Sequence, residues 1–265
     1  MLEIVSFLGL GLVAGLLAGM LGIGGGVVVV PVLIWIFQQH GLPREIIPHL
    51  AIGTSLAAIV FTSMSAIWAQ QRRRAIDWPV VRLLAPATLL GGFASGYLAG
   101  FIPAAMLKGF FAAFLLLVGT QFVLDWKPAA HWRLPGRGVL WGVGLGIGSF
   151  SALLGIGGGN ITVPFLHACN LELRRAIAIS TALGLPIALF GAAGFVLSGW
   201  GNALLPPGTV GYVSLPALAA IAGAAVLTAP LGVRLAHDLP VSKLKRVFGV
   251  LVLAISLRML WAVLV

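Results

Sequence analysis

The stretch LGIGGG occupies residues 21–26 and returns at residues 154–159, each time inside an apolar run that otherwise has the composition of a helix. Aligning the copies lays LGIGGGVVVVPVL on LGIGGGNITVPFL at an offset of 133 residues, which also pairs Pro31 with Pro164. More than the glycines repeats: AIGTSL (51–56) matches AISTAL (178–183), and later Pro103 matches Pro240, Lys108 matches Lys245 and Phe111 matches Phe248. The chain reads as an internal duplication.

Its composition names the solvent in which it folds. With 60% hydrophobic and 8% charged residues among 265, and a mean hydropathy of +1.11, there is too little charge to cover a water-facing globule. Apolar runs of roughly 17 to 25 residues match a hydrocarbon core of about 30 Å crossed by helices, not the alternating ten-residue strands of a bilayer barrel. Each half reads as five apolar segments, the second in each half shorter than a full crossing: 4–21, 27–39, 48–69, 79–100 and 105–124, then 138–154, 160–169, 176–198, 212–236 and 246–265. The expected fold is an all-α polytopic membrane protein of two inverted-topology repeats. Residues 1–125 form the first repeat, 126–137 a basic cytoplasmic connector and 138–265 the second, inverted repeat.

The formal charge of +10 sits in short connectors instead of along one soluble face, so it argues for topology and against nucleic acid. Cationic residues collect in cytoplasmic loops, which turns orientation into a count. If each glycine break closes a hairpin, each half crosses an odd number of times and the halves are inverted. Placing QRRRAI inside then puts thirteen of the sixteen Lys and Arg inside, leaving Arg44, Lys108 and Arg258 outside. Eight spans in parallel halves would divide the same residues eight and eight. The inverted arrangement, with both termini external in the cell membrane, is expected. Parity does not separate two full spans from a re-entrant hairpin, although segment 27–39 makes only roughly 20 Å of helix. The opening MLEIVSFLGLGLVAG lacks a basic stretch and is expected to belong to the mature fold.

Non-helical backbone at membrane depth survives only inside protein or along a polar cavity. The two clusters must therefore face inward. Glycine permits positive φ and close backbone approach, and the helix that starts after each break offers free N–H groups with partial positive charge. That is an anion site, and in inverted-repeat carriers such breaks meet near the midplane. The candidate substrate-binding residues are Gly24, Gly25 and Gly26, then Gly157, Gly158 and Gly159. With them go the uncharged polar groups of Thr54, Ser55, Asn160, Ser180 and Thr181. The competing reading for the hydroxyls is a bond back to their own helix carbonyls. Gly11, Gly15 and Gly19, with Gly144, Gly148 and Ala152, have the four-residue spacing of tight helix packing.

The six acidic residues fall in or beside loops, and no Cys, His and carboxylate cluster suggests a metal or other cofactor. Cys169, alone, is expected to pack. No serine stands in recognisable spacing with a histidine and a carboxylate, so no enzyme is expected. His49 and His167 lie near segment ends and keep a proton-relay reading open.

At these residues the sequence resembles the sulfite exporter TauE/SafE (TSUP) family. The resemblance rests on GLLAGMLGIGGGVVVVPVL, GSFSALLGIGGGNITVPFL, AIGTSLAAI and APLGVRLAHDLPVSKLKRVFGVLVL. It implies a transporter of small sulfur-containing anions, sulfite or organosulfonates such as sulfoacetate. The glycine motifs and the Thr54 and Thr181 regions would carry its site. Export by alternating access is the expected function, and an anion channel or a proton-coupled importer are its alternatives. Oligomeric state is not readable from the sequence.

Overall fold

Glycine and proline decide where this chain ceases to be helix. The computed structural model describes residues 2–22, 24–124, 134–238 and 241–264, and over these the chain forms ten helices and one small hairpin. The helices are α1 (Leu2–Leu21), α2 (Gly26–Gln39), α3 (Ile47–Arg72), α4 (Trp78–Ala99), α5 (Ala104–Val123), α6 (Arg137–Leu153), α7 (Gly159–Ala168), α8 (Leu173–Ser198), α9 (Leu215–Asp238) and α10 (Val241–Leu264). Ile23 and most of the expected basic connector, residues 126–133, lie outside the described residues.

Among the described residues, α3, α4, α5, α8 and α9 are long and apolar enough to cross a membrane. Phe61, Leu98, Leu117, Phe150, Leu227 and Trp261 stand exposed on the outside, where lipid tails in place of water remove the cost. The protein is an all-α polytopic membrane protein. At about 1.5 Å per residue, α2 (14 residues) and α7 (10 residues) extend only about 21 and 15 Å.

The mostly buried α3 and α8 form the centre and run antiparallel: Gly53 faces Phe195, Leu56 faces Gly191 and Ser63 faces Gly184. Around them α1 lies on α9 as α6 lies on α4, and α5 pairs with α10. Small residues bring these backbones together. A β-carbon on Gly11, Gly15 or Gly19 would strike the carbonyls of Ile221, Ala225 and Ala229, and one on Gly148 would strike that of Thr88. The four-residue glycine spacing is thus a packing face. At the α5–α10 contact, Ser256 Oγ donates to the Ala112 carbonyl at 2.8 Å.

The segment expected to be helical from residue 212 starts as a strand instead. β1 (Thr209–Val210) and β2 (Val213–Ser214) pair antiparallel, because Gly208 and Gly211 take positive φ and turn the chain before α9 can begin. Tyr212 at the tip is buried, stacked on His49 at 5.0 Å between ring centroids.

Candidate transport site

Each glycine break closes one helix and opens the next. Gly22 and Gly155 end α1 and α6 in the left-handed conformation, at φ 68° and 67°. Gly155 N–H donates to Ala152 O and Ile156 N–H to Ser151 O, the paired bonds that satisfy the last carbonyls of a helix. Gly25 and Gly158 then cap α2 and α7 at φ 78° and 81°. Side chains other than glycine rarely adopt these angles.

The two breaks meet. A β-carbon on Gly24 would lie 3.0 Å from Gly157 Cα, the residue that matches Gly24 in the repeat, and one on Gly26 would strike the Gly155 carbonyl. The same Gly24 position lies 3.1 Å from Ile59, while Gly157 neighbours Gly184. Ile59 and Gly184 sit about halfway along α3 and α8, so the meeting point is at mid-height of the central pair. Both helix N-termini start there.

The structure sorts the candidate hydroxyls into different jobs. Ser55 Oγ donates to Gly155 O at 2.8 Å and Ser180 Oγ donates to Gly22 O at 3.1 Å, so each half holds the first glycine of the other half's break. Thr54 Oγ1 accepts from Ser214 N–H at 2.9 Å, which ties it to the hairpin and not to the break. Thr181 Oγ1 donates to its own helix at Ile177 O, 2.9 Å away, and still reaches the junction. Asn160, in the first turn of α7, keeps Nδ2 buried and without a partner. Gly159 is the first residue of α7.

Between the breaks lies a cavity of about 10 Å³, lined by Gly22, Gly24, Ser63, Gly157, Thr181 and Gly184 among others. That is room for about one water molecule and too little for an oxyanion. Ser63, Thr62 and Gly184 were not singled out in the sequence: they reach the junction through the α3–α8 crossing, which no local pattern records.

A much larger cavity, about 830 Å³, opens beside the start of α3 and is lined by Ile34, Gln38, Arg44, Glu45, Ala104 and Lys108 among others. A neighbouring cavity of about 230 Å³ shares Gln38 and Lys108 and extends to Arg258. The three cations that the charge count leaves outside thus gather at one pair of cavities.

His49 and His167 do not line this cavity. His49 Nδ1 faces Glu45 O at 3.1 Å, while Nε2 faces Ala99 O at 3.1 Å and Ile102 O at 3.0 Å. His167 Nδ1 faces Leu171 O at 3.2 Å. Among the described residues no group of His, Cys, Asp and Glu could hold a metal ion. Cys169 is a free cysteine buried in the turn after α7.

Three curated relatives match most of this chain. A protein of Haemophilus influenzae described as a probable membrane transporter is 34% identical, over 94% of this chain and 95% of its own. One of Methanocaldococcus jannaschii with the same description is 29% identical over 85% and 83%. A third, from Bacillus subtilis, is 26% identical over 73% and 78%. No solved structure matches. The model of the family described as sulfite exporter TauE/SafE matches residues 7–259, nearly the whole chain with both glycine breaks, and the protein belongs to this family of membrane transporters.

Proposed function

We propose that the protein carries a small sulfur oxyanion, sulfite or an organosulfonate, out of the cell by alternating access, with the anion held between the two glycine breaks. The observation that carries this reading is the contact of Gly24 with Gly157 at mid-height of α3 and α8, where the N-termini of α2 and α7 both start. Helix N-termini offer an anion unpaired N–H groups and partial positive charge without a basic side chain. The two halves, residues 1–125 and 138–265, are read as inverted repeats. The antiparallel α3–α8 pair, the matched α1–α9 and α6–α4 contacts and the basic-residue count support this. The short α2 and α7 fit re-entrant arms that turn back at mid-height, with both termini external.

Because the cavity has room for only about one water molecule, the proposed cycle opens it by rocking one half against the other. With a negative interior, an anion leaving the cell gains about 2.3 kcal/mol per charge per 100 mV. Export then needs no coupling ion, in keeping with His49 and His167 being held by backbone carbonyls and not lining the cavity.

The test is efflux of sulfite from proteoliposomes at set membrane potential, with and without a pH gradient, beside sulfate, thiosulfate and methanesulfonate. Saturable efflux driven by potential alone is expected. Linear, non-saturating flux would show a channel, and dependence on the pH gradient would show proton coupling. Absence of flux for every anion would remove the substrate assignment.

A further inference from the structure

Two hydroxyls at the second glycine break have nothing to bond to. Ser151 Oγ on α6 and Thr162 Oγ1 on α7 belong to fully buried residues, and neither atom has a hydrogen-bond partner. They converge on one spot: the β-position of Gly158 lies 3.3 Å from Ser151 Oγ and 3.4 Å from Thr162 Oγ1, and in this conformation the Ile187 Cδ1 methyl closes the spot at 2.9 Å, so a ligand enters only when that flexible side-chain end swings away. Gly158 caps α7, a ten-residue helix, so the positive end of that helix starts at the same residue. In the same first turn, Asn160 Nδ2 is a third buried polar atom without a partner. Native chains rarely leave buried polar atoms unpaired, and a cluster of them marks a place where a partner is missing.

The first half has no such notch. At the offset of 133, Ser151 corresponds to Ala18, Asn160 to Val27 and Thr162 to Val29, all apolar and buried. The break itself therefore folds without these polar groups. Their presence in one half is a feature added to a common scaffold.

The atoms indicate what the partner is. An amide NH2 only donates, hydroxyls donate readily, and a helix N-terminus presents N–H groups. The set fits an oxygen acceptor and is a poor cage for a cation. No basic side chain lines the adjoining cavity or supplies any of the three atoms nearest the Gly158 β-position. Without a countercharge, charge squared governs the cost of leaving water, while the attraction to fixed dipoles grows only in proportion to charge. Doubling the charge raises the cost about fourfold and the gain about twofold.

We propose that the Gly158 notch, formed by Ser151, Thr162 and the start of α7, is the oxyanion-holding part of the transport site and selects a singly charged oxyanion, a sulfonate or hydrogensulfite, over a dianion such as sulfate. The assignment rests on the reading of the chain as an anion carrier. It makes the site lopsided: the second half grips the anion, and the first half supplies the glycine surface that closes over it.

The first half also supplies the test residues. Binding of methanesulfonate and of sulfate to the purified full-length protein is measured by calorimetry and by ligand-dependent thermal shift, for wild type, Ser151→Ala, Thr162→Val, the double variant and Thr162→Ser. Wild type is expected to bind methanesulfonate and to bind sulfate at least tenfold more weakly. Each apolar replacement should weaken methanesulfonate binding about tenfold or more, the worth of a hydrogen bond to a charged group, while Thr162→Ser retains it. Without ligand, the double variant should unfold at or above the wild-type temperature, because it loses two unpaired buried hydroxyls. Unchanged methanesulfonate affinity in the folded double variant would overturn the assignment and leave the anion-carrier reading standing, as would sulfate binding as tight as methanesulfonate. If wild type neither binds nor transports any of the anions, both fall together.

Discussion

Replacing Gly26 by alanine isolates the close approach of the two breaks from every other use of glycine. Gly26 is the first residue of α2 and is not among the positive-φ glycines, so alanine meets no conformational strain there. Helix propensity alone would favour the change by up to about 1 kcal/mol. Against this, the new β-carbon would strike the Gly155 carbonyl and lie 3.0 Å from both Gly155 C and Ile156 Cα. All three atoms are backbone, so no side chain can swing aside. Overpacking of this kind costs about 1–3 kcal/mol. Moving Gly155 also loosens its 2.8 Å bond from Ser55, worth about 1 kcal/mol more. The loss wins by about 1–3 kcal/mol, which would shift the equilibrium away from the closed junction by about five- to 160-fold. Efflux from proteoliposomes should fall by about that factor, with α-helix content unchanged by circular dichroism. Gly9→Ala is the control: nothing lies within 4 Å of its β-position, and flux should match wild type. Wild-type flux and an unchanged unfolding temperature in Gly26→Ala would refute the claim that the breaks touch in the working cycle.

Three further outcomes follow from the same geometry. Ser55→Ala and Ser180→Ala should each lower stability by about 1–3 kcal/mol by orphaning the Gly155 and Gly22 carbonyls, and their effects on thermal unfolding should resemble each other. His49→Phe should keep the stacking on Tyr212 but remove the ring N–H that faces the carbonyls of Ala99 and Ile102 in one tautomer or of Glu45 in the other; reduced thermal stability with transport still independent of the pH gradient is expected. In a Cys169→Ser background, cysteines replacing exposed Gln39 and Leu204 should react with an impermeant maleimide on intact cells, and one replacing exposed Arg73 only after permeabilisation. Labelling of Leu204 only after permeabilisation would favour eight spans in parallel halves.

The repeated glycines were legible in the sequence because their chemistry is local. A positive φ at Gly25 and Gly158, and the backbone packing at Gly11, Gly15 and Gly19, follow from what a side chain would prevent at that position. The hydroxyls were legible as a group but not in their individual roles. Ser55 and Ser180 are not aligned with each other in the repeat, since Ser55 matches Ala182 and Ser180 matches Gly53. Yet they make reciprocal bonds, because α3 and α8 approach the opposite breaks from different residues. The hairpin at 209–214 was hidden for a related reason: Tyr212 and Val213 are apolar enough to extend a membrane segment, and only Gly208 and Gly211 betray the turn. Ser151 and Thr162 left a sharper trace as mismatches against Ala18 and Val29, a signal visible only once the copies are compared residue by residue.

The reciprocal serine bonds bear on whether such a junction can open at all. In the proposed cycle, separating the halves breaks the Ser55–Gly155 and Ser180–Gly22 bonds and parts glycine surfaces that bury little apolar area. Each hydrogen bond is worth about 0.5–1.5 kcal/mol net when water can replace the lost partner. Opening toward an aqueous cavity therefore forfeits about 1–3 kcal/mol from the pair. Opening into dry protein would incur the larger cost of orphaned carbonyls, which favours motions that admit water from one end at a time. Large side chains at the junction would add van der Waals adhesion to the closed state and block sliding. Glycine provides contact close enough to seal the path and weak enough to release it, and the serines fix the register to which the two halves return.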